Sequence, residues 1–150
     1  LALTRQNLPT VDRTEYADAS GAARGGYVLA DASGGAPQVL VLATGSEVQL
    51  ALHAQQLLAE RGIAVRVVSM PSTSVFGRQS VAYQQSVLPP GVPRIAVEMG
   101  VTDGWWKYGC AAVVGIDTYG ESAPAADLFK VFGFTAQNVA DTVRKVLGRG

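Results

Sequence analysis

Strand-like apolar runs alternate with helical patterns from residue 38 onward, and this alternation restricts the fold more than any other feature of the chain. Residues 38–43 read Gln-Val-Leu-Val-Leu-Ala, a short run with no polar face. Such runs suit a strand buried on both sides of a sheet. Residues 46–61 follow with Val48, Ala51, Leu52, Leu58 and Ala59 near helical spacing, and Gly62 ends the pattern. Ser46 and Gln49 have the spacing of a capping box at the start of that helix. Residues 63–70 return to a β-branched strand pattern. A strand, a helix and a second strand in this order make a parallel crossover unit, and right-handed crossovers place helices on both faces of a sheet.

The rest of the chain extends the same plan. Residues 94–98 and 113–117 read as further strands, separated by a helical stretch over 103–110 that carries Trp105, Trp106 and Tyr108. Short helical pieces are predicted over 74–77 and 79–87, and longer helices over 124–132 and 135–147. The last is capped by Thr135. Residues 27–30 form a short strand before the Gly/Ser/Pro-rich turn 31–37. That short connection predicts an antiparallel hairpin between strands 27–30 and 38–43. The expected fold is an α/β three-layer sandwich with a five-stranded mixed sheet, four strands parallel and one antiparallel.

Ahead of residue 27 the pattern fails. Residues 11–26 are small and polar, with Ser20-Gly21 and Gly25-Gly26, and read as a linker with one helical turn near 15–19. Residues 1–10 then belong to a preceding domain, with 1–4 the end of a strand, and residues 27–150 form the domain proper. The chain opens at Leu1 without an initiator Met, which predicts a cleaved or truncated end. Charged residues make up 16% against a usual ~25%, as expected of a domain that covers part of its surface with neighbours.

Composition excludes several functions. Twelve Lys and Arg balance twelve Asp and Glu, and no basic stripe is present to displace phosphate counterions, so no nucleic-acid partner is expected. No apolar run approaches the ~20 residues of a membrane span, and no signal-peptide pattern opens the chain. One cysteine, Cys110, permits no internal disulfide, and a cytoplasmic location is expected.

Candidate chemistry is sparse. The single histidine, His53, sits mid-helix between Leu52 and Ala54 and reads as a helix residue, while Cys110 beside Ala111-Ala112 reads as a small core residue. One His and one Cys cannot assemble a transition-metal cluster. Ala43-Thr44-Gly45-Ser46 lies between a strand and a helix, and is either an anion cradle or a plain N-cap. Residues 103–108 are either a partner patch or core aromatics. Arg5, at a strand end, suits a phosphate or a salt bridge.

Five segments carry a resemblance. Leu3-Thr4-Arg5-Gln6-Asn7-Leu8, Ala43-Thr44-Gly45-Ser46-Glu47-Val48, Arg66-Val67-Val68-Ser69-Met70-Pro71-Ser72, Tyr119-Gly120-Glu121-Ser122-Ala123-Pro124-Ala125 and Phe132-Gly133-Phe134-Thr135 run in order over nearly the whole chain, with Asn138-Val139 completing the last. Together they resemble the C-terminal region of the transketolase family, with Tyr119 where the family pattern has Phe. Gly109-Cys110-Ala111 departs from the pattern.

The resemblance implies a homodimeric, thiamine-diphosphate-dependent transferase of the pentose phosphate pathway that moves a two-carbon ketol unit between sugar phosphates. Thiamine diphosphate and a divalent metal (Mg or Ca) are implied for the full-length enzyme, held by N-terminal and middle domains absent from this chain, and no cofactor or catalytic residue is expected within it. The preceding domain is implied to be the pyrimidine-binding one. One contact carries over: the Arg of the R-Q-N motif, here Arg5, is implied to bind the substrate phosphate. The domain itself is then structural. The alternatives are a regulatory module binding a small ligand in the crevice near Gly45 and Ser46, and a free-standing enzyme.

Overall fold

Two interlocking periodicities build the domain. The computed structural model describes residues 6–149, so the predicted strand end at 1–4 and Arg5 lie outside the described residues. Five strands, β1 (Tyr27–Ala30), β2 (Val39–Ala43), β3 (Val65–Ser69), β4 (Arg94–Val97) and β5 (Ala112–Val114), form one sheet in the order β1-β3-β2-β4-β5. Three pairings are parallel and β1 runs antiparallel to β3. The helices are α1 (Val48–Ala59), α2 (Thr73–Gly77), α3 (Val81–Val87), α4 (Asp103–Trp106), α5 (Ala125–Val131) and α6 (Ala136–Val146).

The period of two in the strands sorts their side chains into two cores. Val39, Val41 and Ala43 of β2, with Val65, Val67, Ile95 and Val97, face α1 and α6, meeting Ala51, Leu58, Phe134, Val139 and Val143. Leu40, Leu42, Val68 and Ala96 face the other way, against Phe76 of α2, Val87 of α3 and Trp105 of α4. Every residue of β2 is buried, as a central strand covered on both faces requires. The result is the expected three-layer α/β sandwich with four parallel strands and one antiparallel.

The predicted hairpin is not formed. β2 is flanked by β3 and β4, so neither edge of it is free for β1. β1 pairs instead with the outer edge of β3, Tyr27 opposite Ser69 and Val28 opposite Val68, with an irregular register before Ala30. Only Leu29 of β1 is fully buried, a half-covered pattern suited to an edge. A bidentate pair fixes the strand's exit: Arg66 Nε and Nη2 donate to the two Asp31 carboxylate oxygens at 2.8 and 2.9 Å. Gln55 of α1 donates to the carbonyls of Asp31 and Val65, fastening the same corner.

The other boundaries agree with the pattern within a few residues. Gly62 ends the α1 region at φ +68°. Ser72, Ser80 and Thr135 cap α2, α3 and α6 through their hydroxyls. The turn expected near 15–19 lies later, as a 3-10 turn at Ala19–Arg24 capped by Asp18. It ends at Gly25, where φ is +80° and the backbone lies against Ser72 and Phe76.

Candidate functional site

A parallel sheet places its loops at the carboxyl ends of its strands, and the widest crevice opens where the chain order reverses. Here that point lies between β2 and β4, because the chain leaves β2 for β3 on one side and returns to β4 on the other. Ala43 pairs with Val97 at that edge, so the segments leaving the two strands are neighbours. They carry Glu47, in a 3-10 turn at Gly45–Glu47, and Glu98, directly after β4.

Glu47 is 4% exposed. Ser46 Oγ donates to its Oε1 at 2.5 Å, and the Met99 N–H donates to the same carboxylate. Burial raises the Glu47 pKa, and these hydrogen bonds oppose the rise. Glu98 has no such support: its Oε2 is buried without a hydrogen-bond partner among the described residues. Burial first, and the neighbouring Glu47 second, push its pKa up to about 7. The two carboxyls therefore differ in kind. Burial raises both pKa values, but the ionised form of Glu47 has hydrogen bonds to oppose the rise and that of Glu98 has none among the described residues.

The Ser46 hydroxyl turns to Glu47, so the expected capping box with Gln49 does not form, and no side chain caps α1. Ser46 lies inside the 3-10 turn Gly45–Glu47 and α1 begins only at Val48, so Ser46 does not occupy the N-cap position that a capping box needs. The crevice beside Gly45 and Ser46 is bordered by Leu8, Pro9, Val11 and Arg13 and has a volume of about 190 Å³, below the ~300–1,000 Å³ of ordinary small-molecule pockets. A wider cleft of about 520 Å³ opens across the crevice. It is lined by Glu98, Lys107, Trp105 and the hydroxyl-bearing Ser72, Thr73 and Ser74.

The other residues singled out from sequence fall apart in space. His53 is exposed on α1 beside Pro9, Thr10 and Val11. Cys110 is buried, and burial pushes its thiol up to about 11, so it is a core residue and no nucleophile. The aromatic run divides: Trp105 packs in the core, while Trp106 is 48% exposed. The described residues also offer no metal centre, since no three of His, Cys, Asp or Glu are grouped to hold an ion. A metal site of the kind the resemblance implies therefore does not fit the described residues. No described helix is long and apolar enough to cross a membrane.

Glu47 and Glu98 were not singled out by the sequence reading. The signal available was a carboxylate directly after an apolar strand, in Ala96-Val97-Glu98, and a second in the loop after β2. Neither has meaning until the strand order makes the two neighbours.

The sequence matches the family described as the transketolase-like TK C-terminal domain over residues 25–135. It is 52% identical to transketolase 2 of Escherichia coli (strain K12), an alignment covering 99% of this chain and 22% of that relative. A transketolase mutant structure from Pichia stipitis superimposes with a TM-score of 0.84 at 40% identity, covering 94% of this chain and 20% of that one. A structure titled as a split gene transketolase, inactive beta4 tetramer, gives a TM-score of 0.66 at 26% identity, covering 96% of this chain and 48% of that one. The chain thus spans about a fifth of the length of the curated relative. By its motifs, its sheet order and these matches, the chain belongs to the transketolase-like C-terminal domain family.

Proposed function

We propose that this chain serves as the C-terminal domain of a transketolase, a homodimeric cytoplasmic enzyme of the pentose phosphate pathway that transfers a two-carbon ketol unit between sugar phosphates. The observation that carries this is the end-to-end match to a segment one-fifth the length of such an enzyme. Thiamine diphosphate and a divalent metal would supply the carbanion chemistry, from the domains that precede this one. The domain's own task is structural: packing against those domains, supporting the dimer and holding Arg5. Residues 1–10 belong to the preceding domain and 11–26 to the linker; the presence of a single 3-10 turn and no strand across 11–26 supports that division.

One comparison favours a supporting role over independent catalysis: the structure titled as a split gene transketolase, inactive beta4 tetramer, contains a region similar to this chain. The chain alone should therefore show no ketol transfer, and the same sequence joined to its preceding domains should transfer ketol units with thiamine diphosphate and metal. Turnover above blank by the purified chain would overturn the reading.

Arg5 is assigned to the phosphate of the sugar substrate, on its place in the R-Q-N motif and on the bidentate fork of its guanidinium. In the intact enzyme Arg5→Ala should lower kcat/KM for phosphorylated sugars by about 10- to 100-fold, the value of one charge-assisted hydrogen bond. Unphosphorylated donors should be unaffected. Equal loss for both would make Arg5 a structural residue.

A further inference from the structure

We propose that Glu47 and Glu98 hold one proton between them, and that its loss turns the Glu98 carboxylate toward Lys107, loosening the junction between the β2–α1 and β4–α4 loops. This is independent of the reading of Arg5 and of the transfer reaction.

Three observations place the proton. The two carboxyls leave adjacent strands at the same sheet edge, Ala43 and Val97 being paired. Glu47 is buried and already accepts from Ser46 Oγ and the Met99 N–H, so its charge is accommodated. Glu98 Oε2 is buried and accepts from nothing among the described residues, so its charge is not. Like charges at one site titrate as a pair, and the unsupported member keeps the proton.

The charged groups around the pair leave one route open. From the segment after α4, Lys107 lines the cleft with Glu98, its Nζ 5.0 Å from the centre of the Tyr108 ring. From the N-terminal segment, Arg13 borders the crevice at Gly45 and Ser46, on the Glu47 side, and donates to the Ala17 carbonyl. From the loop after β5, Asp117 is taken by the Thr102 N–H and hydroxyl at 2.8 and 2.9 Å. Ser72 before α2, with Thr73 and Ser74 of its first turn, presents hydroxyls and no charge to the cleft, and α6 buries Val139, Ala140 and Val143. Asp103 on α4 and Glu121 beyond β5 are exposed. A newly ionised Glu98 is repelled by Glu47 and has Lys107 before it across the open cleft.

The sign follows from the direction of the shift. Burial and the Glu47 charge raise the Glu98 pKa to about 7, so the folded protein holds the proton more tightly than the unfolded chain. The contribution is fully present below the ordinary carboxylate range and is lost as pH climbs through about 7.

Hydrogen exchange of the intact protein at pH 6, 7 and 8, corrected for the intrinsic pH dependence of amide exchange, tests this at the segment holding Met99 and Thr102. The expected result is a rise in corrected exchange of about fivefold between pH 6 and pH 7 that flattens to about twofold between pH 7 and pH 8, as the proton held with a pKa of about 7 is lost. Glu98→Gln should abolish the rise. Glu47→Gln should move its midpoint down, and Lys107→Met should move it up. Corrected exchange independent of pH in the wild type, or a Lys107→Met midpoint that does not move, would overturn the proposal. Lys107 is exposed, so that variant reads the idea even where a glutamate variant fails to fold.

Discussion

Gly25→Ala tests how the linker segment is seated against the cleft wall. Gly25 is buried, at φ +80°, and a Cβ there would lie 2.4 Å from Phe76 N and from Ser72 O and 2.7 Å from Val75 Cβ. Those atoms belong to α2 and its cap, and Gly25 O itself accepts from the Ser72 N–H at 2.9 Å. Gly34 is the control: φ is +83°, it is exposed, and nothing lies within 4 Å of its would-be Cβ. The left-handed conformation costs an L-residue about 1–2 kcal/mol, offset by ~0.4–1 kcal/mol from the stiffer unfolded chain. Gly34→Ala should therefore destabilise by about 1 kcal/mol or less. Gly25→Ala adds backbone overlap that no side-chain rotation relieves, about 1–3 kcal/mol more, for a total of about 2–4 kcal/mol. Urea unfolding measures both, as a fall in midpoint at unchanged slope. If Gly25→Ala costs no more than Gly34→Ala, the close approach to α2 contributes nothing and the seating described here is wrong.

Arg94 donates to the carbonyls of Tyr108, Leu88 and Pro89 at 2.7–3.0 Å; Arg94→Met should cost about 2–4 kcal/mol in urea unfolding by stranding them, and Arg94→Lys should recover part of it. Cys110, with its thiol pushed up to about 11 by burial, should resist a thiol reagent at pH 8 in the folded chain and react on unfolding; fast modification under native conditions would contradict its burial. Asp31 is desolvated, which opposes ionisation, but its pKa is lowered overall by the hydrogen bonds of Arg66 and Ala32. Its contribution is present above the ordinary aspartate range and lost as pH falls through the lowered value. With Asp31 half exposed, Asp31→Asn should cost only about 0.5 kcal/mol at pH 7, measured as the difference in urea midpoint, and progressively less as pH falls below the ordinary aspartate range.

Local order was legible in the sequence and long-range order was not. Val39–Ala43, Val65–Ser69 and Thr135 before α6 declare themselves through apolar runs and capping chemistry that depend on near neighbours. Which strand β1 pairs with depends on what β2 has already accepted on both sides, and no residue of β1 records that. Ser46 misled for a related reason. Its spacing to Gln49 suits a capping box, but a 3-10 turn at Gly45–Glu47 delays the start of α1 to Val48 and leaves Ser46 off the N-cap. Glu98 acquires its character only because β4 returns beside β2.

The pairing of β1 with β3 sets an order of assembly. As the chain is synthesised, β1 emerges first, but its partner lies beyond β2 and the whole of α1. β2, α1 and β3 can close as one crossover unit from contacts near in sequence, whereas β1 must wait until that unit exists before its amides find acceptors. Asp31 and Arg66 then meet as β1 docks on β3, so the ion pair serves as the clasp on an edge already formed and takes no part in starting the sheet.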